Sequence, residues 1–311
     1  MPLSPLRARV NFAIFAAVTA GCGWLFAAMD HYTGQATGTG SVSSTSGGTN
    51  GQGLWIAVPA LVALALHFLS RDGARPLGLT LRFTSRTRWF AFAGAFALIA
   101  TAVPVLVAVV TGAAAFSSSP SPGQQPLLTA AVAALPFLLI KNTLEEFIFR
   151  GYGTRTAMAL GLPGVTPHLL VGLVWGLWHL PLYTVWMSQS DFLRTTSLPW
   201  SVYVPTLLAG LMILAVLYGE LRVRTGSIWP GVVLHTISNA LTTPLLIGGH
   251  LTFQGHGDAL LGLAPNSLAT ALLFAVAALL LWRLPSRAAR GPYGGAPGQG
   301  KDSATPYVSE G

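Results

Sequence analysis

The chain has 311 residues, of which 52% are hydrophobic and only 8% charged, with a formal net charge of +8 and a mean hydropathy of +0.60. That is too apolar for an ordinary water-soluble domain and points to a polytopic membrane protein. The positive charge does not indicate nucleic acid, because the basic residues sit in short segments between apolar runs rather than on one amphipathic face. The single cysteine, Cys22, excludes an intramolecular disulfide and any multi-cysteine metal site.

Apolar runs long enough to cross a bilayer, about 17 to 25 residues each, recur near 10–29, 53–70, 89–111, 126–150, 167–187, 200–220, 227–247 and 265–284. Length argues for helices, since barrel strands would appear as alternating segments of about ten residues. The predicted fold class is therefore all-α, a polytopic transmembrane helix bundle of about eight spans. The first run holds Thr19-Ala20-Gly21-Cys22, which faintly resembles a lipoprotein cleavage site, but it stays apolar through Trp24, Leu25, Phe26 and Met29 and reads as an uncleaved span. Residues 31–52 form a Gly/Ser/Thr-rich flexible linker, and the Gly/Pro/Ser-rich tail 285–311 reads as disordered.

The intervening segments orient the bundle. Arg7 and Arg9, the group Arg71, Arg75, Arg82, Arg86 and Arg88, then Lys141, Arg150 and Arg155, then Arg222 and Arg224, and finally Arg283, Arg287, Arg290 and Lys301 fall on one side, which is 16 of the 17 basic residues; Arg194 alone falls on the other. The positive-inside rule then places both termini in the cytoplasm.

In this background the sequence Glu145-Glu146-x-x-x-Arg150 is an energetic anomaly, holding two of only four glutamates in the chain. Ionisable groups in or near hydrocarbon are costly and mark functional sites by default. The bland alternative is that all three snorkel to the interface at the cytoplasmic end of the fourth span. Acids on the positive side do not help orientation, however, which favours chemistry. Glu146 and Arg150 are four apart and can pair on one helix face. Glu145 is turned by roughly 100° from its neighbour and can stay free for proton transfer.

Two histidines follow. In VGLVWGLWHLPLY, His179 lies one turn after Trp175, and Gly172 and Gly176 would admit another helix closely. In SIWPGVVLHTISNAL, His235 and Asn239 share a face of the seventh span. Alone, each would be read as a hydrogen-bonded core residue; together with Glu145 they lie at overlapping depths on three helices. Pro181 and Pro230 would kink or start helices beside them. Tyr218 and Glu220, near the end of the sixth span, could line a substrate path, but read first as interfacial anchors. His67 and His168 read as interfacial or packing residues, and His31, His250 and His256 as residues of the outer loops.

The ordered set EExxxR, aromatic-xxx-His and HxxxN resembles the CAAX-protease and bacteriocin-processing (CPBP, Abi-type) family of intramembrane proteases, over about Leu127 to Leu246. The family has Phe where this chain has Trp175. The resemblance implies an intramembrane endopeptidase in which Glu145 and His179 activate a water, His235 and Asn239 stabilise the oxyanion, and Glu146 with Arg150 and Trp175 supports the site. It divides the chain into an N-terminal transmembrane region (1–125), a CAAX-protease-like core (126–250), a last loop and span (251–284) and a cytoplasmic tail (285–311).

A zinc ion held by Glu145, His179 and His235 is the metal-dependent version of this reading. The metal-independent glutamate mechanism, with no cofactor, is preferred because HExxH is absent. The implied partners are the lipid bilayer and a membrane-associated peptide or protein substrate, with no nucleic acid. The Ala-, Gly- and Arg-rich composition suits a bacterial plasma membrane. A catalytically silent immunity factor or scaffold of the same fold is the first alternative. A proton-coupled transporter is the second, disfavoured by polar residues confined to one leaflet and by the lack of repeated broken helices.

Overall fold

The structure is a computed structural model that describes residues 5–35, 48–69, 76–81, 83–117 and 125–284. Most of the 31–52 linker, the arginines at 71, 75 and 82, and the tail after residue 284 lie outside the described residues. The long apolar runs become α1 (Pro5–Tyr32), α2 (Asn50–Leu69), α3 (Phe83–Val110), α4 (Leu127–Glu146), α6 (Thr166–Pro181), α8 (Trp200–Thr225), α9 (Trp229–Leu246) and α11 (Leu268–Arg283). Short helices α5 (Thr154–Met158), α7 (Gln189–Thr195) and α10 (Gly257–Leu261) lie between them.

The chain is thus a helical membrane bundle, with a helix at each of the eight expected places. By length and apolar composition six of these are long enough to cross a bilayer. α11 is shorter, at 16 residues, and α9 mixes its apolar residues with His235, Thr236, Ser238 and Asn239. Two three-residue strands, β1 (Ala114–Phe116) and β2 (Leu251–Phe253), pair antiparallel with Ala115 opposite Thr252. They join the segment after α3 to the segment after α9, and nothing in their short sequences announces a strand.

Two helices depart from α geometry beside the polar residues. Between α4 and α5 the chain winds as a π-helix over Phe147–Gly153, so that one unbroken helical element runs from Leu127 to Met158. All seven residues of the π segment are buried. The expectation that the fourth span ends at Arg150 is therefore corrected: the glutamate pair sits inside the element, and its cluster is enclosed rather than held at an interface. A second π turn, Leu182–Trp186, follows Pro181, where the missing proline N–H interrupts the α ladder.

The bundle closes around α6. α8 packs along one side of it and α1 along another, while α9 is packed between α3 and α4. Close approach of α6 and α8 depends on the glycines of the sixth helix: a Cβ on Gly172 would lie 2.5 Å from Met212 Cα and 2.8 Å from Ala215 Cβ, and one on Gly176 would lie 2.7 Å from Leu208 Cδ2. Backbone cannot move aside as a flexible side chain can. Gly172→Ala is expected to destabilise the protein by about 1–3 kcal/mol through overpacking, measured by thermal unfolding in detergent. Gly21→Ala is the control, because nothing lies within 4 Å of a Cβ there.

α2 fixes the far end of α6 by a reciprocal clamp. The Trp55 indole Nε1 donates to the Trp178 carbonyl (3.0 Å), the Trp178 Nε1 donates to the Trp55 carbonyl (3.1 Å), and the two rings stack at 3.9 Å. Asp30, buried at the end of α1, accepts from Gly51 N (2.9 Å) and from the Trp186 indole (2.9 Å). These contacts hold the helix that carries His179 in a set rotation.

Candidate active site

Glu145 and Glu146 are completely buried and Arg150 is 1% exposed, which removes the snorkelling explanation. Adjacent positions on α4 send the two carboxylates to different neighbours, as the 100° step requires. Glu146 Oε2 lies 3.5 Å from Arg150 Nε, and its other oxygen accepts from His235 Nδ1 at 3.1 Å. Gly231 allows this approach, since a Cβ there would sit 2.7 Å from Glu146 Oε2. The Arg150 guanidinium lies over the rings of Trp175 (4.2 Å) and Tyr218 (4.8 Å). With Phe149 at 5.9 Å, its charge is balanced by three π faces and one carboxylate in place of water.

Glu145 is not left free, contrary to expectation. One oxygen is paired with the Lys141 ammonium, one turn earlier on α4. The other accepts from the Trp175 indole at 3.3 Å and stands 4.0 Å from His235 Nε2. Trp175 also holds His179, whose Nδ1 lies 2.8 Å from the Trp175 carbonyl. A carbonyl only accepts, so Nδ1 carries the hydrogen and a neutral His179 keeps its Nε2 lone pair available. Trp175 is therefore a joint between the two groups expected to activate water, one through its side chain and one through its backbone. Phe, the family's residue at this position, supplies the wall but no donor.

Trp175→Phe keeps the aromatic wall and removes the only N–H that reaches Glu145 from α6. A hydrogen bond to a charged group contributes about 1.5–3 kcal/mol. The variant is expected to lose stability on that order in denaturant titration of the detergent-solubilised protein.

His235 faces both glutamates from α9. With Nδ1 donating to Glu146, its Nε2 can donate to an oxyanion only as the imidazolium. Asn239, one turn on, donates from Nδ2 to Asn142 Oδ1 (3.2 Å), and Asn142 donates in turn to Thr236 Oγ1 (3.4 Å). An amide nitrogen carries two hydrogens, so one remains for a ligand. The structure thus brings together Glu145, Trp175, His235, Glu146 and Arg150 on three helices, with His179 tied in through Trp175.

A cavity of about 220 Å³ opens over this group; Lys141, Trp175, His179, Tyr218, His235 and Asn239 are in its wall, and Tyr183, Phe274 and Leu182 add apolar surface. It offers a pocket with apolar walls and a few convergent polar groups, the usual form of a small binding site.

Four residues in or near this site were missed or misplaced by sequence reasoning. Tyr218, expected as an interfacial anchor, is 2% exposed and packs edge-on to Trp175 and His235 at 5.8 Å each. Glu220 is also buried, 2.9 Å from Arg224 Nε and 3.5 Å from His168 Nε2. An interface reading fails for both because α8 continues to Thr225, beyond the span end expected at 220. Lys141 was counted only as a topogenic charge; its signal was the i,i+4 spacing to Glu145. Asn142 left none.

The donor set fits a zinc ion poorly. Among the described residues no group of three or more His, Cys, Asp or Glu side chains could hold a metal ion. Glu145 is engaged by an ammonium and an indole N–H, and His235 turns its Nδ1 to Glu146. No step below is routed through a metal.

A family model described as Rce1-like, type II CAAX prenyl endopeptidase Rce1-like, matches residues 126–241. No curated protein matches the chain. The matched residues run from the start of α4 to Leu241 in α9 and hold every motif discussed above. The chain is a multi-pass helical membrane protein whose site-bearing segment, residues 126–241, is similar to the Rce1-like type II CAAX prenyl endopeptidase family.

Proposed function

We propose that the protein is an intramembrane endopeptidase that hydrolyses a peptide bond with a water activated by Glu145 and His179, without a metal cofactor. The observation that carries this reading is a cavity whose wall holds His179, with its Nε2 lone pair available, and the Asn239 amide, directly against the buried Glu145 carboxylate, which is held by two other wall residues, Lys141 and Trp175. Glu145 takes the proton of the attacking water, and His179 Nε2 orients that water or receives the proton on its way to the leaving amine. The tetrahedral intermediate places its oxyanion between Asn239 Nδ2 and the His235 imidazolium. Glu146, itself held by Arg150, fixes the His235 ring through Nδ1.

The Lys141–Glu145 pair defines the resting state in this reading. Entry of the peptide moves the ammonium from the carboxylate toward the solvent in the cavity, which frees one oxygen for water. The substrate is a membrane-associated peptide or protein that reaches the cavity from the membrane, and the plasma membrane of a bacterium is the expected location.

The test uses purified protein in lipid vesicles with a library of membrane-anchored peptides, and mass spectrometry of the products. New termini that depend on the protein support an endopeptidase. The silent-scaffold reading expects bound but intact peptides, and an intact library would reject the proposal.

A further inference from the structure

A second concavity lies on the outside of the bundle, away from the glutamates and beyond the family-matched residues on two of its three sides. It is a groove of about 640 Å³ between α3, α11 and the end of α8. Trp89, Phe92, Phe96, Leu273, Ala277 and Leu281 line it, and two cations, Arg88 and Arg224, stand in its wall. Val276, Leu280 and Leu284 on its rim are 55%, 62% and 52% exposed, whereas Phe96, Ala277 and Leu281 form a buried floor.

The charge is concentrated at one end. Arg88 enters from the first turns of α3 and Arg224 from the last turn of α8, while the last turn of α11, whose Leu280 and Leu281 line the groove, carries Arg283. Glu220, the acid paired with Arg224, offsets one of these charges. Arg224 uses Nε on Glu220 and Nη2 on the Leu284 carbonyl, which leaves its Nη1 hydrogens for another acceptor.

We infer that this groove is a binding site for an anionic phospholipid. The phosphate sits between Arg88 and Arg224, and one acyl chain lies along Trp89, Phe92 and Phe96. A planar guanidinium matches phosphate oxygens, and basic pockets between membrane helices hold anionic headgroups. A zwitterionic lipid fills the apolar trough equally well but gains less from the cations. The inner end of the groove abuts the catalytic cavity: Phe96 meets Phe274 edge-on at 5.0 Å, and Phe274, which lines the cavity, stacks with Tyr218 at 6.4 Å. Lipid in the groove thereby backs the wall on which Tyr218 rests.

The test does not depend on any peptidase activity. The delipidated full chain in detergent is mixed with equimolar phosphatidylglycerol and phosphatidylcholine of identical acyl chains, and bound lipid is counted by native mass spectrometry. Phosphatidylglycerol is expected to be retained about tenfold over phosphatidylcholine, which corresponds to about 1.4 kcal/mol. Arg88→Gln with Arg224→Gln is expected to bring that ratio near one. Arg88→Gln alone, which leaves the Arg224–Glu220 pair intact, should lower it several-fold. Ala277→Trp fills the trough and should reduce retention of both lipids, and Arg7→Gln with Arg9→Gln should change nothing. Equal retention by the wild type, an unchanged ratio in the Arg88/Arg224 variant, or an equal loss in the Arg7/Arg9 variant would overturn the site.

Discussion

Glu145→Gln is expected to lower peptide cleavage by about 10²- to 10⁴-fold, the usual contribution of a general base, in a protein that remains folded. The amide has nearly the shape of the carboxylate and still accepts the Trp175 indole, but it cannot take a proton from water. Lys141 loses its partner in this variant, yet it is in the cavity wall and partly exposed, where solvent can receive it. His179→Ala is expected to cost a comparable factor, because it removes a ring nitrogen in the cavity wall whose lone pair is available to water. Initial rates in vesicles, taken beside thermal unfolding of the same samples, separate lost chemistry from lost structure. Cleavage at the wild-type rate by either folded variant would refute these roles.

The second large effect concerns stability. Arg150→Met is expected to destabilise the protein by about 3–5 kcal/mol, the cost of breaking a buried pair and stranding one charge. The methionine keeps apolar contact with Trp175 and Tyr218 but leaves Glu146 with His235 as its remaining partner. Among the described residues the guanidinium nitrogens have no hydrogen-bond acceptor, so its hold on the site is the ion pair and the aromatic faces around it. Arg150→Lys is not expected to restore stability, since an ammonium cannot lie flat between rings. Removing both charges, Arg150→Met with Glu146→Gln, should recover part of the loss. Chemical denaturation in micelles measures all three. A loss below about 1 kcal/mol for Arg150→Met would show that the cluster is not a charge pair in a dry interior.

Much of this site was legible because hydrocarbon makes polar residues conspicuous. Glu145, Glu146, Arg150, His179, His235 and Asn239 could be singled out by type and spacing alone, and the Glu146–Arg150 pair follows from a four-residue step. Gly172 and Gly176 likewise announced the close contact that α6 makes with α8. The rest depended on three-dimensional arrangement. The π-helix at Phe147–Gly153 changes how a helix winds without a proline to signal it, and so the helix was expected to stop near Arg150.

Trp175 could be read as an aromatic wall, but that its indole reaches Glu145 while its carbonyl holds His179 depends on where the bundle places α6 relative to the glutamate pair. Tyr218 was misjudged because a tyrosine near a helix end is usually amphipathic decoration; only the full length of α8 shows it to be interior. Lys141 was hidden by its other role, since every lysine in a membrane protein is first a topogenic charge. The groove beside Arg88 and Arg224 is likewise divided among three helices far apart in sequence, and no local pattern encodes it.

In the proposed function Glu145 acts as the base of a peptide-cleaving site. The most direct measurement compares new protein termini, by mass spectrometry, in membranes of cells making equal amounts of the wild-type protein, Glu145→Ala or His179→Ala. New termini in membrane-associated proteins are expected with the wild type and absent with both variants. The same termini in all three membranes, or none attributable to the wild type, would contradict that role for Glu145.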